Sequence, residues 1–245
     1  MRWYDGPEGD QRVWYDEQEI ENMMAEQLRA ARQHLTLAQP VPDLEAFVEG
    51  HLKVQLDQYA DLPNSVLGLT EFVVGEQPRM FINTTLTMAA DENPARPGAR
   101  GRWRATIAHE ASHVILHRYL FDPAMVSIRQ GDVRDPDLAA FAAARQDAGK
   151  LHRMECLHRD VDDARTQLDR GARDWREIQA NRGMAALLMP ASIFGRVATI
   201  HGGMKNNPVE ETGPAGQNLI TQVAASFDVS RQAAALRLRR FEIIA

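Results

Sequence analysis

One apolar helix that carries two histidines and a glutamate constrains this chain more than any other feature. Residues 102–119 have helical periodicity and contain His109, Glu110 and His113 in the pattern H-E-x-x-H. On a helix, residues four positions apart face the same way about 6 Å apart, so two imidazoles there can bind one tetrahedral zinc ion. Glu110 then lies beside the ion without coordinating it, where a general base is needed. The alternative is a buried helix with two incidental histidines.

A zinc site that keeps one position open for water needs a third protein ligand. His117 lies about 12 Å along the helix from His109, which is too far for the same ion, so we expect it to contact a ligand, to line the wall of the site or to be an ordinary core histidine. Glu177 is the better candidate, because it lies on a separate predicted helix whose apolar residues 185–189 can pack on the first. Asn181, one turn later, can accept a hydrogen bond from a ligand imidazole. Spacing alone favours a simpler interpretation of Glu177, a solvated surface carboxylate.

The remaining patterns predict an α+β fold in which a small antiparallel sheet packs on helices. Short segments rich in β-branched and aromatic residues, separated by Pro, Asn or Gly, predict the strands: residues 54–59, 66–74 and 79–87. Apolar periodicity and N-cap residues predict the helices: residues 16–37, 43–50, 102–119, 175–188, 219–226 and 230–241. Residues 1–15 contain Gly and Pro and predict an irregular lead-in.

These elements predict three regions along the chain. Residues 1–42 form an N-terminal helical extension, and residues 43–200 form the core, with a polar helical insertion at about 122–174. Residues 201–245 form a C-terminal helical segment, packed on the core, that resembles a helix-turn-helix. Arginines on or near its second helix allow DNA contact, although two short helices are also common as plain packing elements. These arginines are Arg231, Arg237, Arg239 and Arg240.

Composition and charge limit the classes of function. The 245 residues are 44% hydrophobic and 25% charged, and no apolar run approaches the roughly 20 residues that a membrane span needs. The net charge of −6 argues against a nucleic-acid footprint over the whole surface. Cys156 is the single cysteine and cannot form an intrachain disulfide, and residues 1–16 lack the pattern of a secretory signal. We therefore expect a cytoplasmic protein without a membrane span.

A second group of metal-binding residue types lies in the predicted insertion. His152 and Cys156 are four residues apart, but Cys156 and His158 are two apart and face differently on a helix. We therefore favour a polar insertion with an ordinary thiol over a second metal site.

Taken together, the two motifs resemble those of the ImmA/IrrE family of metallo-endopeptidases. The similar segments are the H-E-x-x-H helix from Thr106 to His113, the sequence Glu177-x-x-Ala180-Asn181, residues 185–190, and residues 223–238. The likeness covers about residues 43–245. The connection between the two motifs is longer here than is usual in the family, and Gly183 and Met184 replace the usual aromatic residue and alanine.

This resemblance implies a zincin-like metallopeptidase core. His109, His113 and Glu177 would then be ligands of Zn²⁺, with Mn²⁺ as the alternative ion, and Glu110 would be the catalytic base. It also implies an endopeptidase that cleaves a regulatory protein, usually a helix-turn-helix repressor that binds DNA. Two other classes of function stay open: a regulator that binds DNA or a repressor around a structural metal site, and a toxin-like partner of an antitoxin.

Overall fold

The computed structural model describes residues 2–5, 11–73, 76–92, 98–120, 151–157, 175–205 and 207–245. Within these ranges a mixed four-stranded sheet packs against helices, which confirms the predicted α+β class. The predicted irregular lead-in is wrong, because strands β1 (Arg2–Asp5) and β2 (Gln11–Trp14) pair as an antiparallel hairpin. The Gly and Pro residues of the lead-in fall between these strands, in residues 6–10, which lie outside the described part of the chain.

Helix α1 (Glu17–Ala30) begins at a capping box formed by Asp16 and Glu19. The Asp16 carboxylate accepts a hydrogen bond from the Glu19 N–H at 2.8 Å, and the Glu19 carboxylate accepts one from the Asp16 N–H at 2.9 Å. These bonds satisfy backbone donors that a helix start otherwise leaves without acceptors. The helix ends earlier than the predicted residue 37, since the backbone at Arg32 takes a φ of 56°. Its buried residues follow helical spacing: Ile20, Met24 and Leu28.

The four-stranded sheet has the order β3-β5-β4-β6. Its strands are β3 (Gln55–Ala60), β4 (Val66–Val73), β5 (Arg79–Asn83) and β6 (Leu151–Leu157). Strand β4 pairs antiparallel with β5 and β6, but β3 pairs parallel with β5, so the predicted antiparallel sheet is wrong at this edge. The chain reverses direction between β3 and β4 and again between β4 and β5, so β3 and β5 run the same way. Because β5 lies between β4 and β3, these two strands become parallel neighbours.

Strand β6 corrects the prediction that residues 122–174 are helical throughout. Residues 151–157 form an edge strand along β4, with Met154 buried and the neighbouring Arg153 exposed. The Arg153 guanidinium donates a 2.8 Å hydrogen bond to Glu71 of β4. The strand was missed because its Arg153 and Glu155 lead into the heavily charged residues 158–174, and this composition resembles that of a solvated helix. The other residues of the predicted insertion, including His158, and the side chains of His152 and Cys156 lie outside the described part of the chain.

The remaining helices largely follow the predicted positions. A π-helical segment, Ala46–His51, follows Asp43, whose carboxylate accepts a hydrogen bond from the Ala46 N–H as predicted for an N-cap. Residues 84–87 are helical rather than extended, because the Asn83 side chain caps a helix. The helix after Pro190 was not predicted. The helices are α2 (Thr84–Asp91), α3 (Ala99–His117), α4 (Trp175–Leu188), α5 (Ala191–Ile200), α6 (Pro214–Phe227) and α7 (Arg231–Arg240).

No single helix of the described residues is long and apolar enough to cross a membrane. Helices α4 and α5 reach that length and apolarity only when taken together, and a bend of 57° separates them. Most of their large apolar side chains are buried in the core, among them Leu187, Leu188, Ile193 and Phe194, whereas Ile200 at the end of α5 is exposed.

Helices α3 and α4 pack closely because Gly183 of α4 has no side chain. A Cβ atom at Gly183 would lie 2.7 Å from Ser112 Oγ on α3 and 2.8 Å from Met24 Cε on α1. Both distances are shorter than a relaxed contact of a carbon atom with either carbon or oxygen. The glycine therefore sets how near the middle of α4 can come to α3.

We expect Gly183→Ala to lower the free energy of unfolding by about 1–3 kcal/mol, because the added methyl group overpacks this crossing. Gly195→Ala on α5 is the matched control, since no atom lies within 4 Å of a Cβ built there. In an open helix position, alanine should raise stability by about 0.5–1 kcal/mol. Urea denaturation of both variants measures the difference. If Gly183→Ala also raised stability, the helices at the crossing of α3 and α4 would have to be less tightly packed than the structure shows.

Candidate metal centre

Three side chains from two helices converge at the crossing of α3 and α4. His109 and His113 lie one turn apart on α3, and Glu177 lies in the first turn of α4. The two Nε2 atoms are 3.0 Å apart, and the Glu177 carboxylate oxygens lie 3.1 Å from Nε2 of His109 and 3.4 Å from Nε2 of His113. Both histidines are fully buried, whereas 23% of the Glu177 side chain is exposed. The cluster therefore has one side open to solvent.

The geometry of this cluster fits a tetrahedral metal ion. Ligand atoms about 2.1 Å from such an ion are about 3.4 Å from one another. The two Nε2 atoms here are 3.0 Å apart, and each lies 3.1 or 3.4 Å from one of the two Glu177 oxygens. Among the described residues, His109, His113 and Glu177 form the group of His, Cys, Asp and Glu side chains that could hold a metal ion. Two imidazoles and one carboxylate are also a ligand set of catalytic zinc sites. The residues present therefore fit a divalent ion.

Burial of His113 and the imidazoles beside Glu177 shift the pKa values of these two residues toward the forms that bind metals. Burial lowers the pKa of His113 below its usual value of 6.5, although Glu177 partly opposes this shift. Burial alone would raise the pKa of Glu177, but His113 and His109 outweigh it and hold that pKa well below the usual value. Neutral imidazoles and an ionised carboxylate are the forms that coordinate metals.

Asn181 contacts the first histidine. Its Oδ1 lies 3.2 Å from Nδ1 of His109, one turn along α4 from Glu177. An amide oxygen only accepts hydrogen bonds, so Nδ1 of His109 carries the proton and Nε2 presents its lone pair to the cluster. The structure thus places Asn181 where the sequence predicted a hydrogen-bond partner of a ligand.

His117 lies behind His113, away from the open side of the cluster. Its Nδ1 is 3.0 Å from Nδ1 of His113, and its Nε2 is 3.2 Å from Oε1 of Gln179. The structure therefore places His117 against a candidate ligand, which is one of the three positions that the sequence left open. Gln179 was missed by sequence reasoning, although a polar residue two positions after Glu177 on a largely apolar helix could have drawn notice.

Glu110 points toward the sheet, where strand β4 holds its carboxylate. The Thr70 hydroxyl donates a 2.5 Å hydrogen bond to Oε2 of Glu110, and both residues are fully buried. Gly68 permits this approach, because a Cβ there would lie 2.7 Å from Cγ2 of Thr106 and 3.1 Å from Cγ of Glu110. Thr70 and Gly68 were also missed by sequence reasoning. A glycine inside a strand marks close approach of another element, and this was the available signal.

The arginines of helix α7 make contacts within the chain. Only 2% of Arg237 is exposed, its guanidinium donates to the Met189 carbonyl oxygen at 2.7 Å, and it forms an ion pair with Glu21. The other pairings are Arg239 with Glu211, Arg240 with Glu17, and Arg231 with Thr221 and Gln217. These contacts join α7 to α1, to α6 and to Glu211 in the segment that precedes α6. They do not favour DNA binding by this helix.

No family model matches the chain, and no curated protein matches it. The geometry of the described residues supports a buried triad that could bind a metal, consistent with an H-E-x-x-H site. The roles of Glu110, Asn181 and His117 in binding or catalysis stay predictions.

Proposed function

We propose that this chain is a zinc-dependent endopeptidase. The supporting observation is the convergence of His109, His113 and Glu177 at separations that suit one tetrahedral ion. Three protein ligands leave a fourth position for water, as in catalytic rather than structural zinc sites. Glu110, next to a ligand on the same helix, supplies a carboxylate that a purely structural site does not need.

The residues of the chain have separate tasks in this reaction. When bound, zinc lowers the pKa of a water molecule toward neutrality and polarises the carbonyl oxygen of the scissile bond. The Glu110 carboxylate accepts the proton of the attacking water and passes it to the leaving amine nitrogen as the C–N bond breaks. Thr70 orients that carboxylate through its hydrogen bond to Oε2. Asn181 orients one ligand imidazole in the same way.

We further propose that the substrate is a regulatory protein, namely a DNA-binding repressor of the helix-turn-helix class. This part of the proposal depends on the resemblance of the two motifs to the ImmA/IrrE family. Zinc is the proposed ion because of the ligand set, and manganese is the alternative.

The direct test is incubation of the zinc-loaded protein with the repressor encoded nearest to it, with fragments identified by mass spectrometry. We expect cleavage that a strong chelator abolishes and that added zinc restores. The same reaction with manganese identifies the ion that supports turnover. An intact repressor that forms a stable complex with the zinc-loaded protein would favour a binding regulator over a peptidase.

Thr70→Val should lower kcat for peptide cleavage about 10-fold and leave KM unchanged. Valine keeps the shape of threonine but removes a hydrogen bond to a charged group, which contributes about 1.5 kcal/mol or more. Thr70→Ser keeps the hydroxyl and is the matched control, with kcat expected near that of the wild type. Steady-state kinetics on one cleaved peptide separates the two parameters. Equal kcat values for valine and serine would remove Thr70 from the account.

A further inference from the structure

A chain of buried hydrogen bonds leads from the metal cluster to the N-terminal hairpin. His113 contacts His117 through their Nδ1 atoms at 3.0 Å, and His117 contacts Gln179 through Nε2 and Oε1 at 3.2 Å. Gln179 then donates a hydrogen bond from Nε2 to the carbonyl oxygen of Val13 in β2 at 2.9 Å. All four residues are fully buried. The chain therefore joins α3, α4 and β2 without an intervening solvent molecule.

The last acceptor fixes the direction of every proton in this chain. A carbonyl oxygen can only accept, so the Gln179 amide group faces Val13 and its Oε1 faces His117. His117 must then donate from Nε2, and its Nδ1, which carries no proton in the neutral ring, accepts from His113. His113 therefore carries its proton on Nδ1. Its Nε2 is left with a lone pair directed at His109 and Glu177.

We propose that His117 and Gln179 are positioning residues for the ligand His113, and that strand β2 is thereby part of the metal centre. This inference rests on the proposed function, since it concerns the same ion. It assigns a role to the N-terminal segment, which lies outside the part of the sequence that resembles a known family. Asn181 orients His109 locally, whereas His113 depends on a backbone carbonyl distant in the sequence.

Two further contacts hold this arrangement in place. The His117 ring meets the Trp175 ring edge to face, with centroids 5.5 Å apart. The Arg182 guanidinium of α4 lies 5.4 Å from the centroid of the Trp14 ring, next to Val13. Packing alone would be served equally well by an apolar ring at position 117. Burying the polar side chains of His113, His117 and Gln179 one after another carries a desolvation cost, and an apolar ring at position 117 would reduce it.

The variant test compares His117→Phe with His117→Asn. Phenylalanine keeps the ring against Trp175 but removes both nitrogens, while asparagine offers an oxygen that can accept from Nδ1 of His113. We expect zinc affinity, measured by competition with a chromophoric chelator, to fall about 10- to 100-fold in His117→Phe and to recover largely in His117→Asn. Gln179→Met replaces the amide by an apolar side chain of similar volume and so breaks the hydrogen-bonded link between His117 and Val13. It should also weaken zinc binding. Thermal unfolding of the metal-free proteins checks that each variant is folded.

The tautomers can be observed in the wild-type protein without any substitution. Two-bond ¹H–¹⁵N correlation spectra of the metal-free protein should show His113 protonated at Nδ1 and His117 protonated at Nε2. His113 protonated at Nε2 would overturn the inference, as would equal zinc affinity in the wild type, His117→Phe and Gln179→Met. A wild-type protein that binds no zinc would instead contradict the proposed function. The two failures are therefore distinguishable.

Discussion

Glu110→Gln is expected to lower kcat for peptide cleavage by about 10²- to 10⁴-fold while zinc binding stays at the wild-type level. Glutamine has the same size and can still accept the hydrogen bond from Thr70 through its amide oxygen. It cannot accept a proton at neutral pH. The transfer from the attacking water therefore loses its base, and the transfer to the leaving amine loses its acid. Zinc binding should survive, because Glu110 is not among the residues that form the metal cluster. Fragment analysis by mass spectrometry and zinc content by elemental analysis measure the two properties.

Glu71→Gln is the matched control for this variant. Glu71 follows Thr70 on β4, is also buried, and pairs with Arg153 on the neighbouring strand. Adjacent residues of a strand face opposite sides of the sheet, so Glu71 lies on the side away from Glu110. Its substitution should leave kcat near the wild-type value. Cleavage by Glu110→Gln at a rate comparable to the control would mean that the carboxylate has no part in hydrolysis.

Zinc is expected to stabilise the wild-type protein by about 4 kcal/mol when free zinc is about 1000 times its dissociation constant. The ion binds only where the three ligands meet, and that arrangement exists in the folded chain alone. Glu177→Ala removes the ligand that comes from α4 and leaves two imidazoles from one helix. At the same zinc concentration it should lose most of this stabilisation. Denaturant titrations with and without zinc measure both values.

Glu26→Ala provides the comparison, since Glu26 is an exposed glutamate on helix α1. Its zinc-dependent stabilisation should equal that of the wild type. If Glu177→Ala retained the full effect of zinc, the ion would be bound elsewhere, and the assignment of Glu177 as a ligand would be wrong.

The part of the site that the sequence predicts is the part that local geometry determines. His109 and His113 converge because helix periodicity places residues four apart on one face. Glu177 and Asn181 are predicted from a separate helix whose apolar residues can pack on α3, and the resemblance implies the same ligand. Nothing local determines which faces of α3 and α4 meet, so spacing alone favoured a surface carboxylate at position 177. Gly183 decides that contact, and its importance depends on side chains of two other helices.

Long-range pairings account for what the sequence did not predict. Gln179 matters because it reaches the Val13 carbonyl oxygen, and Thr70 matters because β4 passes over Glu110. Neither contact leaves a periodic signal. Strand β6 was predicted as helix for a related reason, since an edge strand carries charged residues on its exposed side and its identity depends on the partner strand. The parallel pairing of β3 with β5 is likewise a property of the assembled sheet.

The most direct test of the account is a crystal structure of the zinc-loaded protein with anomalous data collected on both sides of the zinc absorption edge. We expect one strong anomalous peak about 2.1 Å from Nε2 of His109, Nε2 of His113 and a carboxylate oxygen of Glu177. A fourth ligand position should face the open side of the cluster. A peak at another group of residues, or no peak in zinc-saturated crystals, would contradict the account.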